Sequence, residues 1–172
     1  RSTVFDRWLL SAMKDLPQAA ILHLGCGMDS RVLRVEHGER LWFDVDFPEV
    51  IAERKRYFAE SLSYRMVGSD LREEGWLEEL PQGGDMIVVM EGLSMYLRRE
   101  ELIALLKKLT DRFARIAVTM DCYTEFAAKA TKYKNPINDV GVTEVYGIDD
   151  PRLLEAGTDL KYTAEHDMVP EN

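Results

Sequence analysis

The chain has 172 residues, 31 acidic against 22 basic for a formal net charge of −9, and 46% of its residues are apolar. This profile predicts one soluble globular domain over residues 1–172 and excludes disordered, collagen-like or low-complexity chains. The longest apolar runs, such as Met86 to Met90, fall far short of the about 20 residues that cross a bilayer, and no basic-then-apolar leader opens the chain, so the expectation is a cytoplasmic protein. Two cysteines, Cys26 and Cys122, without CxxC or Cys/His spacing, predict no metal. The short basic clusters Arg54-Lys55-Arg56 and Lys107-Lys108 argue against a nucleic-acid partner, because neutralising phosphates takes many convergent cations.

Phe5, Trp8, Leu9, Ala12 and Leu16 recur at helical spacing, which predicts an amphipathic helix from Thr3 to Leu16, stopped by Pro17. Ala19 to Leu24 is a short, nearly continuous apolar run ending at Gly25-Cys26-Gly27, as buried parallel strands do. Leu41 to Asp46 predicts a second strand, followed by a helix from Glu49 to Phe58 with Pro48 at its start. Ser63 to Val67 reads as a third strand ending in Gly68-Ser69-Asp70-Leu71, and Trp76 to Leu80 as a short helix. The most apolar strand, Met86 to Met90, ends at Glu91-Gly92 and is expected at the centre of the sheet. Glu100 to Phe113 is the clearest helix, and Ile116 to Met120 a fifth strand ending on Asp121. Glu125 to Lys134 reads as helical, Asp149-Asp150-Pro151 as a helix start, and Lys161 to Asp167 as a sixth strand. Alternating strands and helices imply an α/β, doubly wound, mostly parallel sheet with helices on both faces, which places ligands beyond the carboxyl ends of the strands. Acids or glycines sit at those ends: Gly25, Asp46, Asp70, Glu91 and Asp121.

Glycines at 25 and 27 let the backbone turn tightly and approach a ligand. Asp46, about 20 residues further on at the end of the next strand, can accept both hydroxyls of a ribose, so adenosine is the implied moiety. The dinucleotide fingerprint wants a third glycine where Ser30 stands; Ser30 reads instead as the cap of a following helix. S-adenosylmethionine, which needs no phosphate cradle, therefore fits better than NAD, and a nicotinamide dehydrogenase is disfavoured. Asp70 either reaches the adenine amino group, with Leu71 beside the ring, or caps the helix at Trp76. Glu91 can face a cationic ammonium or sulfonium tail.

The segments Leu24 to Arg31, Phe43 to Ile51, Gly68 to Leu71 and Glu91 to Leu97 resemble, in order, the leucine carboxyl methyltransferase family, in particular its bacterial branch of tetracenomycin-type polyketide O-methyltransferases. The resemblance implies a Rossmann-like class I S-adenosylmethionine-dependent methyltransferase, reduced at both ends relative to the family: a leading helix (1–17), a cofactor-binding core (18–121) and a substrate-side part (122–172). It implies that Arg1 pairs with the methionine carboxylate, Gly25 lies under the cofactor, Asp46 holds the ribose, Asp70 and Leu71 contact adenine, and Glu91 stands beside the methionine moiety. Cys26, Gly27, Phe47 and Gly92, next to these in the motifs, complete the expected cofactor-binding set, and Tyr96 reads either as core or as pocket lining, where it is a candidate for substrate binding.

Cys26 reads as a small side chain beside a ligand rather than a nucleophile, because its motif supplies no base. His23 reads as a core histidine, Arg54-Lys55-Arg56 as a hydrated helix face, and Met86, Met90, Met95 and Trp8 as core. The expected activity is O-methylation of a carboxylate or hydroxyl of a small molecule by in-line transfer, with a non-catalytic, cofactor-binding interaction module as the alternative. A carboxylate acceptor needs no general base; for a hydroxyl acceptor Asp121, Tyr96 and His166 are unranked candidates.

Overall fold

The computed structural model describes residues 1–130 and 145–166. Its elements run α1 (Ser2–Asp15), β1 (Ala20–Leu24), α2 (Arg31–Arg34), β2 (Trp42–Asp46), α3 (Pro48–Arg54), β3 (Tyr64–Gly68), β4 (Asp85–Met90), α4 (Arg99–Arg112), β5 (Arg115–Met120) and α5 (Glu125–Ala130), with 3-10 helices at Gly75–Glu79, Ser94–Tyr96 and Pro151–Gly157. The five strands form one parallel sheet in the order β3-β2-β1-β4-β5. The chain winds outward one way from β1 to β3 and then crosses back to β4, so the strand order reverses between β1 and β4, where open α/β sheets build their ligand crevice.

Apolar runs as continuous as those of β1 and β4 are stable only with both faces covered, and both are. On one face Leu22, Leu24, Phe43, Val45, Met86, Val88 and Met90 pack with Leu102, Leu105, Leu106 and Leu109 of α4 and with Trp76. On the other, Ile21, Trp42, Ile87 and Val89 pack with Phe5, Leu9, Ala12 and Met13 of α1 and Ile51 of α3. Met86, Met90 and Met95 are core as expected, whereas Trp8 is only half-buried against its cluster. Arg40 closes the C-terminal end of α1 by donating to the carbonyls of Met13, Leu16 and Ala19 at 2.9, 3.0 and 2.9 Å, which satisfies acceptors left without helical partners.

The expected sixth strand is not formed over residues 161–166, and Asp167 lies outside the described residues. Every position from 161 to 166 is exposed, so the alternation in that segment has no face to bury and no pairing to drive. The helix expected from Glu125 is α5, with residues 131–134 outside the description. The start expected at Asp149-Asp150-Pro151 is a 3-10 helix whose N-cap, Asp150, accepts the Arg152 amide at 3.0 Å.

Candidate functional site

β1 leaves the sheet through two glycines in the left-handed region, Gly25 at φ +66° and Gly27 at φ +51°. The Gly25 amide still bonds the Val45 carbonyl at 2.8 Å, so the loop starts in register with β2. A side chain at Gly25 would press on Leu93 at 3.1 Å, whereas the space beside Gly27 is open. Asp46, at the end of β2, accepts the Gly27 amide at 2.8 Å on one oxygen and the Phe47 amide at 2.7 Å on the other. Each oxygen keeps a lone pair, and Phe47, the next residue, is exposed. Cys26 is buried beneath the loop, and burial together with Asp44 pushes its thiol well up, which removes it as a nucleophile at neutral pH.

Asp70 follows β3. It accepts the Arg72 amide at 2.9 Å and holds the Arg72 guanidinium by contacts of 2.5–3.1 Å, and these bonds keep its carboxyl below the usual range. It does not cap the helix at Trp76, whose N-cap is Glu74. The Leu71 side chain packs into the core. Ser30 does stand at the N-cap of α2 but makes no capping bond; its hydroxyl accepts instead from Arg34 at 3.3 Å.

Glu91 follows β4 and lies between two guanidiniums. Arg1 Nε donates to one oxygen at 2.9 Å and Arg31 Nη2 to the other at 2.5 Å, so the expected cation-facing carboxylate is, within this chain, already paired. Arg1 also reaches Asp121 at 3.3 Å. Asp121, after β5, accepts the Gly92 amide at 2.7 Å, while burial raises its carboxyl above the ordinary value. An open polar groove of about 350 Å³ is lined by Arg72, Tyr96, Arg98, Glu101 and Tyr146. His166 is exposed.

The sequence reading missed two buried arginines. Arg31, fully buried, donates to Asp6 at 2.7 Å, to Glu91 and to His23 Nε2 at 3.0 Å, and lies 3.2 Å from Asp29. Arg54, expected on a hydrated face, is also fully buried: it pairs with Asp44 at 2.7 and 3.1 Å, stacks on Phe58 at 4.0 Å and donates to the Gly27 carbonyl at 3.1 Å. Lys55 and Arg56 are exposed as expected. The usable signal was Asp44, an acid inside an apolar strand, which has to find a buried cation. Desolvation alone would push the Asp44 carboxyl up, but His23, Arg54 and Tyr64 together hold it below its ordinary value.

A parallel sheet of this order, with a glycine turn after the first strand and acids at the ends of the next three, is a Rossmann-like fold, and solved class I methyltransferases share it. Residues 1–110 match the model of the leucine carboxyl methyltransferase family, and the chain belongs to that family. It is 34% identical over 157 residues to the tetracenomycin polyketide synthesis O-methyltransferase of Streptomyces glaucescens, covering 91% of this chain and 58% of that protein. It is 33% identical over 159 residues to an S-adenosyl-L-methionine-dependent methyltransferase of Gibberella zeae, covering 84% and 53%. The chain thus spans little more than half the length of these curated relatives. Among solved structures, an S-adenosylmethionine-dependent methyltransferase of Clostridium acetobutylicum shares the fold with a TM-score of 0.57 and 12% identity, over 76% of this chain and 54% of that one. No helix among the described residues is long and apolar enough to cross a membrane.

Proposed function

We propose that residues 1–172 act as one S-adenosylmethionine-dependent O-methyltransferase unit, with a carboxylate or hydroxyl of a small cytoplasmic metabolite as acceptor. The observation that carries this reading is the convergence of the open Gly27 backbone, the Asp46 carboxylate with its free lone pairs, Asp70 and Glu91 at neighbouring carboxyl ends of one parallel sheet. These residues fit the cofactor. Asp46 offers two oxygens to two hydroxyls, Gly25 to Gly27 give bare backbone, and the exposed Phe47 ring offers an apolar wall. Asp70 takes the adenine side once Arg72 yields one of its contacts, and Arg1, half exposed, is the cation free to turn from Glu91 toward a carboxylate. Bound there, S-adenosylmethionine supplies a methyl group on a sulfonium already activated for displacement.

What remains for the protein is alignment and exclusion of water, so the site needs little acid or base chemistry. A carboxylate acceptor arrives ionised. For a hydroxyl acceptor Asp121 and Tyr96 flank the carboxyl end of β4, and the raised Asp121 carboxyl makes it the better proton acceptor of the two at neutral pH. The test is transfer of labelled methyl from S-adenosylmethionine to panels of aromatic acids and phenols. Base-labile label marks an ester and base-stable label an ether. Cofactor binding without transfer to either panel would favour the interaction-module reading instead.

A further inference from the structure

Two buried ion clusters lie on the same face of the sheet, and one side chain joins them. Strand register sets His23 of β1 directly opposite Asp44 of β2, on the side covered by α1 and α3. His23 is 1% exposed and Asp44, Arg31 and Arg54 are each 0% exposed. On one side of the ring, Nε2 lies 3.0 Å from Arg31 Nη1. A guanidinium has donors only, so Nε2 must accept and the ring hydrogen sits on Nδ1. On the other side, Nδ1 stands 3.3 Å from Asp44 Oδ1, close but without the alignment of a full hydrogen bond. Asp44 is otherwise held by the Trp42 indole at 2.9 Å, by the Tyr64 hydroxyl and by Arg54.

Each cluster ends on the ligand-side loops. From Arg31 the contact passes to Glu91 at the end of β4. From Arg54 it passes to the Gly27 carbonyl, and the peptide unit on the other side of the Gly27 Cα is held by the bond from the Gly27 amide to Asp46. The glycine loop therefore does not keep its shape by glycine geometry alone: its carbonyl is clamped from behind through Asp44 and Arg54. Nothing lies within 4 Å of where a Gly27 side chain would be, so this residue is held through its backbone amide and carbonyl.

We propose that His23 is a positioning residue that couples the two ends of the cofactor site, joining the Arg31–Glu91 cluster to the Asp44–Arg54–Gly27 cluster through its two ring nitrogens. The coupling itself is a property of this chain; its meaning for cofactor affinity rests on the function proposed above. A histidine is suited to the place because one ring presents an acceptor and a donor toward two opposite charges. A glutamine amide carries the same pair at similar separation, whereas leucine carries neither.

The experiment uses the full chain in three arms. In the wild type, ¹⁵N chemical shifts of the His23 ring are expected to show hydrogen on Nδ1 and an acceptor Nε2; hydrogen on Nε2 would overturn the proposal, and this arm needs no variant. Hydrogen exchange of the Gly27 amide is expected to accelerate about 10-fold in His23→Leu and to return close to wild type in His23→Gln. Titration with S-adenosylhomocysteine should follow the same order, with about 10-fold weaker binding in His23→Leu and rescue in His23→Gln. Unchanged Gly27 exchange in folded His23→Leu would overturn the coupling. If His23→Leu does not fold, a His23→Gln variant with wild-type melting but lost Gly27 protection would do so. Failure of the wild type to bind S-adenosylhomocysteine would sink the cofactor reading while leaving the first two arms to decide the coupling.

Discussion

Replacing Arg54 with Met is the sharpest test of how the site is held. Methionine keeps most of the aliphatic volume against Phe58 but leaves the fully buried Asp44 without its cation. Removing one member of a buried pair costs about 3–5 kcal/mol, since the remaining charge is stranded. Asp44 would retain the Trp42 indole and the Tyr64 hydroxyl as donors, which places the expected loss near the lower end, about 3 kcal/mol. For a domain of this size that corresponds to a melting temperature lower by about 6–12 °C. The pH dependence follows from sign. In the wild type the Asp44 carboxyl is held below its ordinary value of 3.8, so its stabilising contribution is complete above that value and is lost only as pH falls through the lower folded value. In the variant the folded value rises, and protonation relieves the stranded charge. The deficit in urea denaturation should therefore be largest at pH 7 and narrow toward pH 4. An Arg54→Met protein within about 0.5 kcal/mol of wild type at pH 7, the range of ordinary surface changes, would refute the assignment of Arg54 as a buried counter-ion.

Other expectations can be checked with the same equipment. Gly25→Ala and Gly27→Ala both force an L side chain into the left-handed region at about 1–2 kcal/mol, but only the former also pushes on Leu93, so denaturation should rank Gly25→Ala as the more damaging. The reverse ranking would contradict the described packing. Asp121 has a carboxyl raised by burial, so the wild type gains stability as pH falls from 7 through that raised value toward 3.8. Asp121→Asn, which can still accept the Gly92 amide, should be at least as stable as wild type at pH 7, with the difference closing toward pH 4. A loss of about 1 kcal/mol or more at pH 7 would show instead that the ion pair with Arg1 outweighs desolvation.

The sheet was readable because its signals are local. Apolar runs broken by Gly25, Asp46 and Glu91 declare parallel strands and their ends, and the five strands form where those runs lie. The place of Asp46, at the end of β2 and beside the glycine loop, was equally legible, since that loop precedes it by one strand. The buried arginines were not, because their roles are set by distant residues: Arg31 meets Glu91 across 60 positions and Asp6 across 25. Glu91 illustrates the consequence. Read alone it is a free carboxylate at a strand end; in the fold it stands between two guanidiniums. Arg54 was misassigned for the same reason, since a basic run on a short helix is usually hydrated and only Asp44, on a different element, draws this member inward. The unformed sixth strand shows the opposite error, a local pattern with no tertiary face to support it.

The most direct test of the central claim is calorimetric titration of the chain and of Asp46→Ala with S-adenosylhomocysteine and, separately, NAD. The account predicts micromolar binding of the sulfur nucleoside to the wild type, no heat with NAD, and a loss of about 10-fold or more in the variant, as expected when charge-assisted bonds to two hydroxyls are removed. Binding of NAD in place of S-adenosylhomocysteine, or S-adenosylhomocysteine affinity indifferent to Asp46→Ala, would contradict it.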